Sequence, residues 1–295
     1  MKSLVVALTT LTLFQASRTP KSVLDELLAA DRGFSTAAAQ TTAIPGLTAM
    51  MADDVAMPVP LPSPGFARSK TQAIEALKLN PDNAQGKLEW APVRGGVSAD
   101  GLHGFTVGYM TLTRADGTKV PVKYVAYWVR RPEGWRVAVY KRVIAEQSPA
   151  SREMMPPSLP AQLVAPVTDP AVIATHKTSL KAAEQAFSDE AQKIGLGAAF
   201  AKHGRADAVN VGPRSSPTFV VSAAEIGKSI GGDATSPLRW SADEGSLVAS
   251  SGDLGVNFGY LRPNAAPPSG QPAAIPFFTI WRRASPNEPW RYIAE

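Results

Sequence analysis

The side chains of this sequence that could take part in chemistry are few, and they occur at matching places in its two halves. Asp31 and Glu184 each lie one helical turn before a Phe-Ser pair, within segments whose apolar spacing predicts a long helix. Tyr109 and Tyr260 each end a strand-like segment. A carboxylate beside a tyrosine can bind a ligand or transfer a proton. More commonly such an acid pairs with an arginine or caps a nearby loop.

The other polar candidates follow weaker patterns. His103 lies on the strand that ends at Tyr109, but its counterpart is Leu254, which favours a packing role. Asp53 and Asp54 are neighbours in a predicted turn, where adjacent side chains usually diverge. The histidines have no metal-ligand spacing, so we expect no metal or cofactor and assign no catalytic residue. The candidate ligand-binding residues are Asp31, Tyr109, Tyr124, His103, Glu184, Tyr260 and Asn257.

An internal repeat organises these candidates. The stretch from Gly101 to Tyr109 recurs as Gly252 to Tyr260, with glycine at the same three places and an offset of 252 − 101 = 151 residues. An offset of one domain length predicts two copies of a whole domain. Further matches follow in the same order, pairing Trp90 with Trp240, Trp128 with Trp281, Arg130-Arg131 with Arg282-Arg283, and Trp135 with Trp290.

Composition and charge exclude several classes of function. The chain has 295 residues, a net charge of +5 and no cysteine, so disulfides and thiolate chemistry are excluded. Lysine and arginine are scattered without interleaved aromatics, and we expect no nucleic-acid binding. Residues 1–20 combine Lys2, a short apolar run and Ala16, which is typical of a signal peptide too short to span a membrane. We therefore predict a secreted or periplasmic protein without a membrane span. The alternative for this segment is a disordered or helical extension.

The periodicity of the chain predicts the same order of elements twice. A helix capped by Ser22 and a helix from about Pro170 to Lys193 each precede two short helices, and β-rich segments joined by turns follow. This order indicates an α+β fold. The predicted domains are residues 21–145 and 172–295, joined by a Pro-rich linker over 146–171.

Several motifs resemble the nuclear-transport-factor-two-like superfamily of cone-shaped domains, which includes ketosteroid isomerases and SnoaL-like cyclases. They are Ala29-Ala-Asp-Arg-Gly-Phe34, Met51-Ala-Asp-Asp-Val55, Gly104-x-x-x-Gly-Tyr109 and Trp128-x-Arg-Arg131 leading to Gly134-Trp-Arg136. The resemblance covers about residues 22–145, and residues 172–295 are a more diverged copy. It implies two tandem cone-shaped domains, each a long helix and short helices packed on a curved antiparallel sheet.

The resemblance also bears on catalysis. Enzymes of the superfamily often hold a general base just after the Ala-Asp-Asp turn, which falls here at Pro58 or Val59 and, in the second half, near Val211 or Gly212. Neither place has an acid. We therefore predict a non-catalytic protein that binds a small apolar ligand or a protein partner. The alternatives are an isomerase, dehydratase or cyclase that uses residues such as Asp31 and Tyr109, and a purely structural role.

Alternation along the strands predicts how the halves meet. Phe105, Val107 and Tyr109 share one face of a strand, and we expect that face to pack on the helices. Val125 and Tyr127 lie opposite the Tyr124 and Trp128 face, and their counterparts Phe278 and Ile280 are equally uncharged. An apolar outer face predicts a partner, so we expect the two halves to form an intramolecular pseudo-dimer.

Overall fold

The computed structural model describes residues 18–59, 65–146, 153–212, 216–232 and 235–295. The signal peptide predicted over residues 1–20 lies almost entirely outside these ranges. Parts of the Pro-rich loop after Val59 and of the predicted linker also lie outside them. Within the described ranges, no helix is both long and apolar enough to cross a membrane.

The first half contains four helices and six strands among its described residues. The helices are α1 (Pro20–Ala38), α2 (Ala43–Ala49), α3 (Lys70–Lys78) and α4 (Asp82–Gln85). The strands are β1 (Met51–Val59), β2 (Gly65–Ala67), β3 (Lys87–Val97), β4 (His103–Thr113), β5 (Lys119–Arg131) and β6 (Gly134–Ile144).

The described part of the second half repeats this order, without a counterpart of α4. Its helices are α5 (Pro170–Ile194), α6 (Leu196–His203) and α7 (Ala223–Ile230). Its strands are β7 (Gly204–Asn210), β8 (Val220–Val221), β9 (Leu238–Val248), β10 (Leu254–Pro263), β11 (Ile275–Arg282) and β12 (Arg291–Ala294). The predicted tandem α+β architecture is therefore confirmed.

Each half has one six-stranded sheet, and the two sheets have the same topology. The strand orders are β2-β1-β6-β5-β4-β3 and β8-β7-β12-β11-β10-β9. Most neighbouring strands are antiparallel, as predicted, but each sheet is mixed because β1 pairs with β6, and β7 with β12, in parallel. Register shifts in β3 and between β5 and β6 mark bulges, which bend strands.

The long helices begin at side-chain caps and bury one face. Thr19 caps α1, and Ser22 completes a capping box from inside the helix, so the prediction of Ser22 as the N-cap is wrong by one turn. Asp169 caps α5, which spans nearly the predicted range. Leu24 and Leu27 of α1 pack into a core with Trp90, Tyr124, Trp128 and Tyr140. We call the region between the helices and this sheet face the first cone, and its counterpart in the second half the second cone.

The other faces of the two sheets pack against each other. One apolar cluster joins Val125 and Tyr127 of the first half to Phe278 and Ile280 of the second, and all four side chains are fully buried. Such a buried apolar contact favours association of the two sheets. The predicted pairing of the two halves within one chain is thus present in the structure.

The prediction for the face of β4 is wrong. Phe105 and Val107 belong to the cluster between the halves, and Tyr109 packs on its edge. The helix side of β4 instead carries glycine. A Cβ at Gly104 would lie 2.6 Å from Leu27 Cδ2, so glycine allows α1 to approach the sheet closely. Alternation showed which residues share a face, and the glycines show which face meets the helix.

Part of the predicted linker pairs with the edge of the first sheet. The amides of Met155 and Ser158 donate to the carbonyls of Val93 and Gly95, at 2.7 and 3.0 Å. A Cβ at Gly96 would lie 2.7 Å from the Ser158 carbonyl oxygen, so this glycine makes room for the segment. Residues 153–158, which we call the edge segment, thereby cover backbone groups that an edge strand otherwise leaves open.

Candidate functional site

The first cone holds one buried carboxylate on α1. The Asp31 side chain is fully buried and accepts hydrogen bonds from Trp90 Nε1 at 2.6 Å and from the Tyr124 hydroxyl at 2.8 Å. One turn later, the Ser35 hydroxyl bonds to the backbone of Trp90 at 2.7 Å. The helix and the strand β3 therefore fix the acid and its indole donor in register.

The second cone repeats this arrangement with a longer acid. Glu184 is fully buried, and its two oxygens accept hydrogen bonds from Trp240 Nε1 at 2.9 Å and Trp281 Nε1 at 2.7 Å. Ser188 takes the place of Ser35 and accepts from the Trp240 amide at 2.8 Å. The repeat therefore preserves an acid, an indole and a serine in each cone.

Burial disfavours the charged form of both acids. It raises the pKa of Asp31, while the hydrogen bonds from Trp90 and Tyr124 oppose this shift. It raises the pKa of Glu184 to about 8, with the Trp281 bond opposing and Glu295 adding to the rise. Next to Asp31, burial and the negative carboxyl raise the pKa of Tyr124 well above its usual value. Both oxygens of each acid are engaged by aromatic donors.

Aromatic rings fill the second cone. The ring of Phe187 lies 4.8 Å from those of Phe200 and Trp240, and 5.8 Å from that of Tyr292, measured between centroids. His203 stacks on the same ring at 5.1 Å. Such clusters stabilise a core through burial and ring geometry.

The surroundings of Phe34 in the first cone are less aromatic. Phe34, the counterpart of Phe187, has one ring contact among the described residues, with Trp128 at 6.2 Å. Counted from the starts of β1 and β7, Leu47 and Met50 occupy the places of Phe200 and His203. By strand register, Val137 occupies the place of Tyr292. Flexible and smaller aliphatic side chains thus line positions that rings occupy in the other cone.

Four of the candidate residues lie in the cones. Asp31 contacts Tyr124 directly, and Glu184 has Asn257 among its hydrogen-bonding neighbours. The Asn257 amide nitrogen also donates to the Leu180 carbonyl at 2.9 Å, which ties β10 to α5. These residues form two separate polar clusters, one in each half.

The other three candidates lie between the halves. Tyr109 packs on Phe219 at 5.2 Å, and Tyr260 on Phe66 at 5.7 Å, so each tyrosine contacts the opposite half. His103 Nδ1 is 2.9 Å from the hydroxyl of Tyr127. The structure does not bring these residues together with the cone acids.

The adjacent aspartates form surface ion pairs. Asp54 accepts from Arg131 at 2.8 Å, and Asp53 lies 3.2 Å from Lys70, in an open groove of ≈ 300 Å³. Asp207, which has the register position of Asp54, instead pairs with Arg94 of the first half at 2.8 Å. The exposed pairs of Asp53 and Asp54 contribute little stability. Among the described residues, no group of three His, Cys, Asp or Glu side chains could hold a metal.

The positions of the superfamily's general base hold apolar residues. Val59 ends β1 and packs against the first core, whereas Val211 follows β7 and lies in the cluster between the halves. The Val211 carbonyl accepts a hydrogen bond from Lys123 Nζ. No acid takes over these positions in either half.

Two charged residues in this region escaped the sequence reasoning. Arg142 lies opposite Tyr124 on the neighbouring strand, and its Nη1 is buried without a hydrogen-bond partner. Glu295 has the register position of Tyr140, its Oε2 is likewise buried and unpartnered, and burial raises its pKa to about 7. Arg142 follows Tyr140 by two residues on β6, so strand alternation places both side chains on the same face, and this spacing could have indicated it. The repeat drew no attention to either residue, because the matched landmarks end before them, at Trp135 and Trp290.

The prediction for the arginine pairs is off by one residue. Strand register places Arg282 at the position of Val129, not of Arg130. Arg282 is therefore buried between the halves, where its Nη2 donates to the Val97 carbonyl at 2.5 Å.

No protein-family model matches this sequence, and no curated protein matches it. Solved structures are similar to about half of the chain. A putative calcium/calmodulin-dependent protein kinase II association domain from Xanthomonas campestris has 16% identity and a TM-score of 0.33, covering 49% of this chain and 100% of its own. An NTF-2 like protein of unknown function from Shewanella oneidensis has 12% identity and a TM-score of 0.33, covering 40% and 97%.

A third similar structure is an NTF2-like protein with a cystatin-like fold from Novosphingobium aromaticivorans. It has 17% identity and a TM-score of 0.33, and the match covers 45% of this chain and 88% of that one. The second and third of these structures carry the name of the superfamily that the sequence motifs resemble.

Proposed function

We propose that this protein is an exported, non-catalytic binding protein whose first cone takes a small apolar ligand. The hydrogen bonds of the two buried acids support the non-catalytic part of this proposal. Both oxygens of Glu184 and both of Asp31 already accept hydrogen bonds from buried aromatic donors. A general base needs an oxygen within hydrogen-bond reach of the substrate's proton, and the usual positions, Val59 and Val211, lack an acid.

The choice of the first cone follows from the difference between the halves. Phe187 of the second cone is enclosed by rings, whereas the matching part of the first cone is lined by Leu47, Met50 and Val137. Apolar lining with a few polar groups is typical of small-molecule sites, and methionine adapts to the shape of a ligand.

A thermal-shift screen of apolar compounds tests this proposal. We expect at least one class of compound to raise the melting temperature of the full chain. Leu47→Phe places the second half's ring in the first cone and should reduce that shift. Leu79→Phe makes the same change at an exposed site and should preserve it. If no compound stabilises the chain, or if both variants respond alike, binding in the first cone is refuted. A protein partner on the outer surface would be insensitive to Leu47→Phe.

Export is tested separately. The Lys2 start and the short apolar run motivate it. Mass spectrometry of the exported protein should find an N-terminus within residues 17–21. Soluble protein that retains Met1 would contradict export without affecting the ligand proposal.

A second candidate function is an enzyme that uses the second cone. The observation that favours it is the pair of acids with raised pKa, Glu184 at about 8 and Glu295 at about 7, since perturbed acids cluster at functional sites. Proton exchange from carbon acids in D2O, followed by NMR, would detect this chemistry. Exchange that disappears in Glu184→Gln would replace the non-catalytic proposal.

A further inference from the structure

Within the described part of the chain, one cationic side chain of the first cone lacks a counterion. Arg142 Nη2 donates to Asn83 Oδ1 at 2.6 Å, while Nη1 is buried and has no acceptor. None of the ion pairs among the described residues includes Arg142. Burial lowers the pKa of Arg142, and the effect of Tyr140 only partly opposes this. An arginine nonetheless stays protonated, so the cone contains an uncompensated charge.

A lone buried charge is unfavourable unless it is paired and hydrogen-bonded. Other buried cations among the described residues have a partner for their charge, although Arg282 also has an unpartnered Nε and lies 3.8 Å from Asp253. Lys123 Nζ binds the carbonyls of Ser216 and Thr218 at 2.7 and 3.1 Å, and Arg94 pairs with Asp207 at 2.8 Å. Arg142 differs from these cations because it combines an unpartnered nitrogen with the absence of any ion pair among the described residues, which points to a partner from outside the chain.

We infer that Arg142 binds the carboxylate of a small organic acid whose apolar part lies in the first cone. The inference deepens the proposed function and rests on it. A guanidinium presents a planar fork that matches a carboxylate. Its surroundings are apolar or aromatic, with Tyr124 opposite on β5, and Tyr140, near Met110, two residues earlier on β6. Arg142 keeps partial solvent exposure, which leaves an approach to the guanidinium.

The remaining polar groups of the cone agree with a single anionic contact. Asp31 is already bonded by Trp90 and Tyr124, so it has no free hydrogen-bonding group for a ligand carboxylate and leaves Arg142 as the attractive group. The amide nitrogen of Asn83 is bonded to the Leu77 carbonyl at 2.6 Å, which holds the Asn83 oxygen against Arg142. The guanidinium is therefore oriented before the ligand arrives, and this lowers the entropy lost on binding.

Calorimetry and thermal shift with octanoate and octanamide test the inference, since the two compounds differ in charge but not in length. We expect octanoate to bind the wild-type chain at least about tenfold more tightly than octanamide, the range of a charge-assisted hydrogen bond. Arg142→Met should remove this preference. Without ligand, Arg142→Met should keep or raise the melting temperature, because it removes an unpaired buried charge at similar volume. Arg136→Met, six residues earlier on the same strand and paired with Glu133, should leave the preference intact.

Acetate, compared with chloride at equal ionic strength, separates the two proposals. If acetate stabilises the wild type but not Arg142→Met, while neither octyl compound binds, the anion site stands and the apolar-ligand function fails. If octanoate and octanamide bind equally, ligand binding stands and the role of Arg142 is overturned. A large loss of melting temperature in Arg142→Met, without any preference for acids in the wild type, would make the arginine a structural residue and also refute the inference.

Discussion

Replacing Glu184 by glutamine is expected to change how the stability of the protein depends on pH. Burial raises the pKa of Glu184 from 4.5 to about 8. Between these values the folded state keeps a proton that the unfolded state has released, so stability falls as the pH rises. With 1.36 kcal/mol for each pKa unit, this group should remove about 3 kcal/mol of stability between about pH 5 and pH 8. Glutamine does not titrate, so the variant should lack this contribution.

The hydrogen bonds set the sign of the difference at each pH. Trp240 and Trp281 donate to the two oxygens of Glu184, and glutamine offers only one oxygen. One buried indole therefore loses its acceptor, at a cost of about 1–3 kcal/mol. We expect Glu184→Gln to be less stable than the wild type near pH 5, and equal to it or more stable near pH 8. Urea unfolding followed by tryptophan fluorescence measures both. Curves that run parallel across this range would show that Glu184 is ionised in the fold and would refute the reasoning.

Two further predictions concern the edge segment and the surface between the halves. Gly96→Ala should destabilise the chain by about 1–3 kcal/mol, because its Cβ would lie 2.4 Å from the buried Phe105 ring and 2.7 Å from the Ser158 carbonyl oxygen. Gly33→Ala, with no atom within 4 Å, should stabilise it by about 0.5–1 kcal/mol. Hydrogen exchange should be faster at Ser158 in Gly96→Ala alone, and an unchanged rate would contradict the role of the edge segment. Residues 22–145 expressed alone should self-associate in sedimentation experiments, whereas Val125→Lys with Tyr127→Lys should make them monomeric, since these buried side chains would then be exposed. A monomeric unmodified half would refute the pairing.

The two tandem domains could be predicted from the sequence because the same motifs occur in the same order in both halves. Trp90 and Trp240, and the uncharged face of Val125 and Tyr127, are local patterns, and each has its expected place in the structure. A parallel pairing such as β1 with β6 leaves no local pattern, because it depends on a contact between distant parts of the chain.

The candidate site was predicted only in part. Asp31 lies beside Tyr124, and Glu184 lies beside Asn257. The side chains of His103, Tyr109 and Tyr260 instead lie between the two halves. Strand alternation predicts which residues share a face. Which of the two faces packs on the helices depends on close contacts that are visible only in the structure. Arg142 was missed because the lack of an acceptor near its Nη1 is visible only in the three-dimensional structure.

The surface between the halves has a consequence for pairing specificity. Lys123 of the first half places its ammonium group among backbone carbonyls of the second, while its register counterpart is Pro276, which has no cation. A symmetric homodimer would have to repeat every such feature on both sides, whereas one covalent chain lets one half donate and the other accept. The two halves have thus become unlike partners. If they were separated and mixed, each would bind the other in preference to a copy of itself.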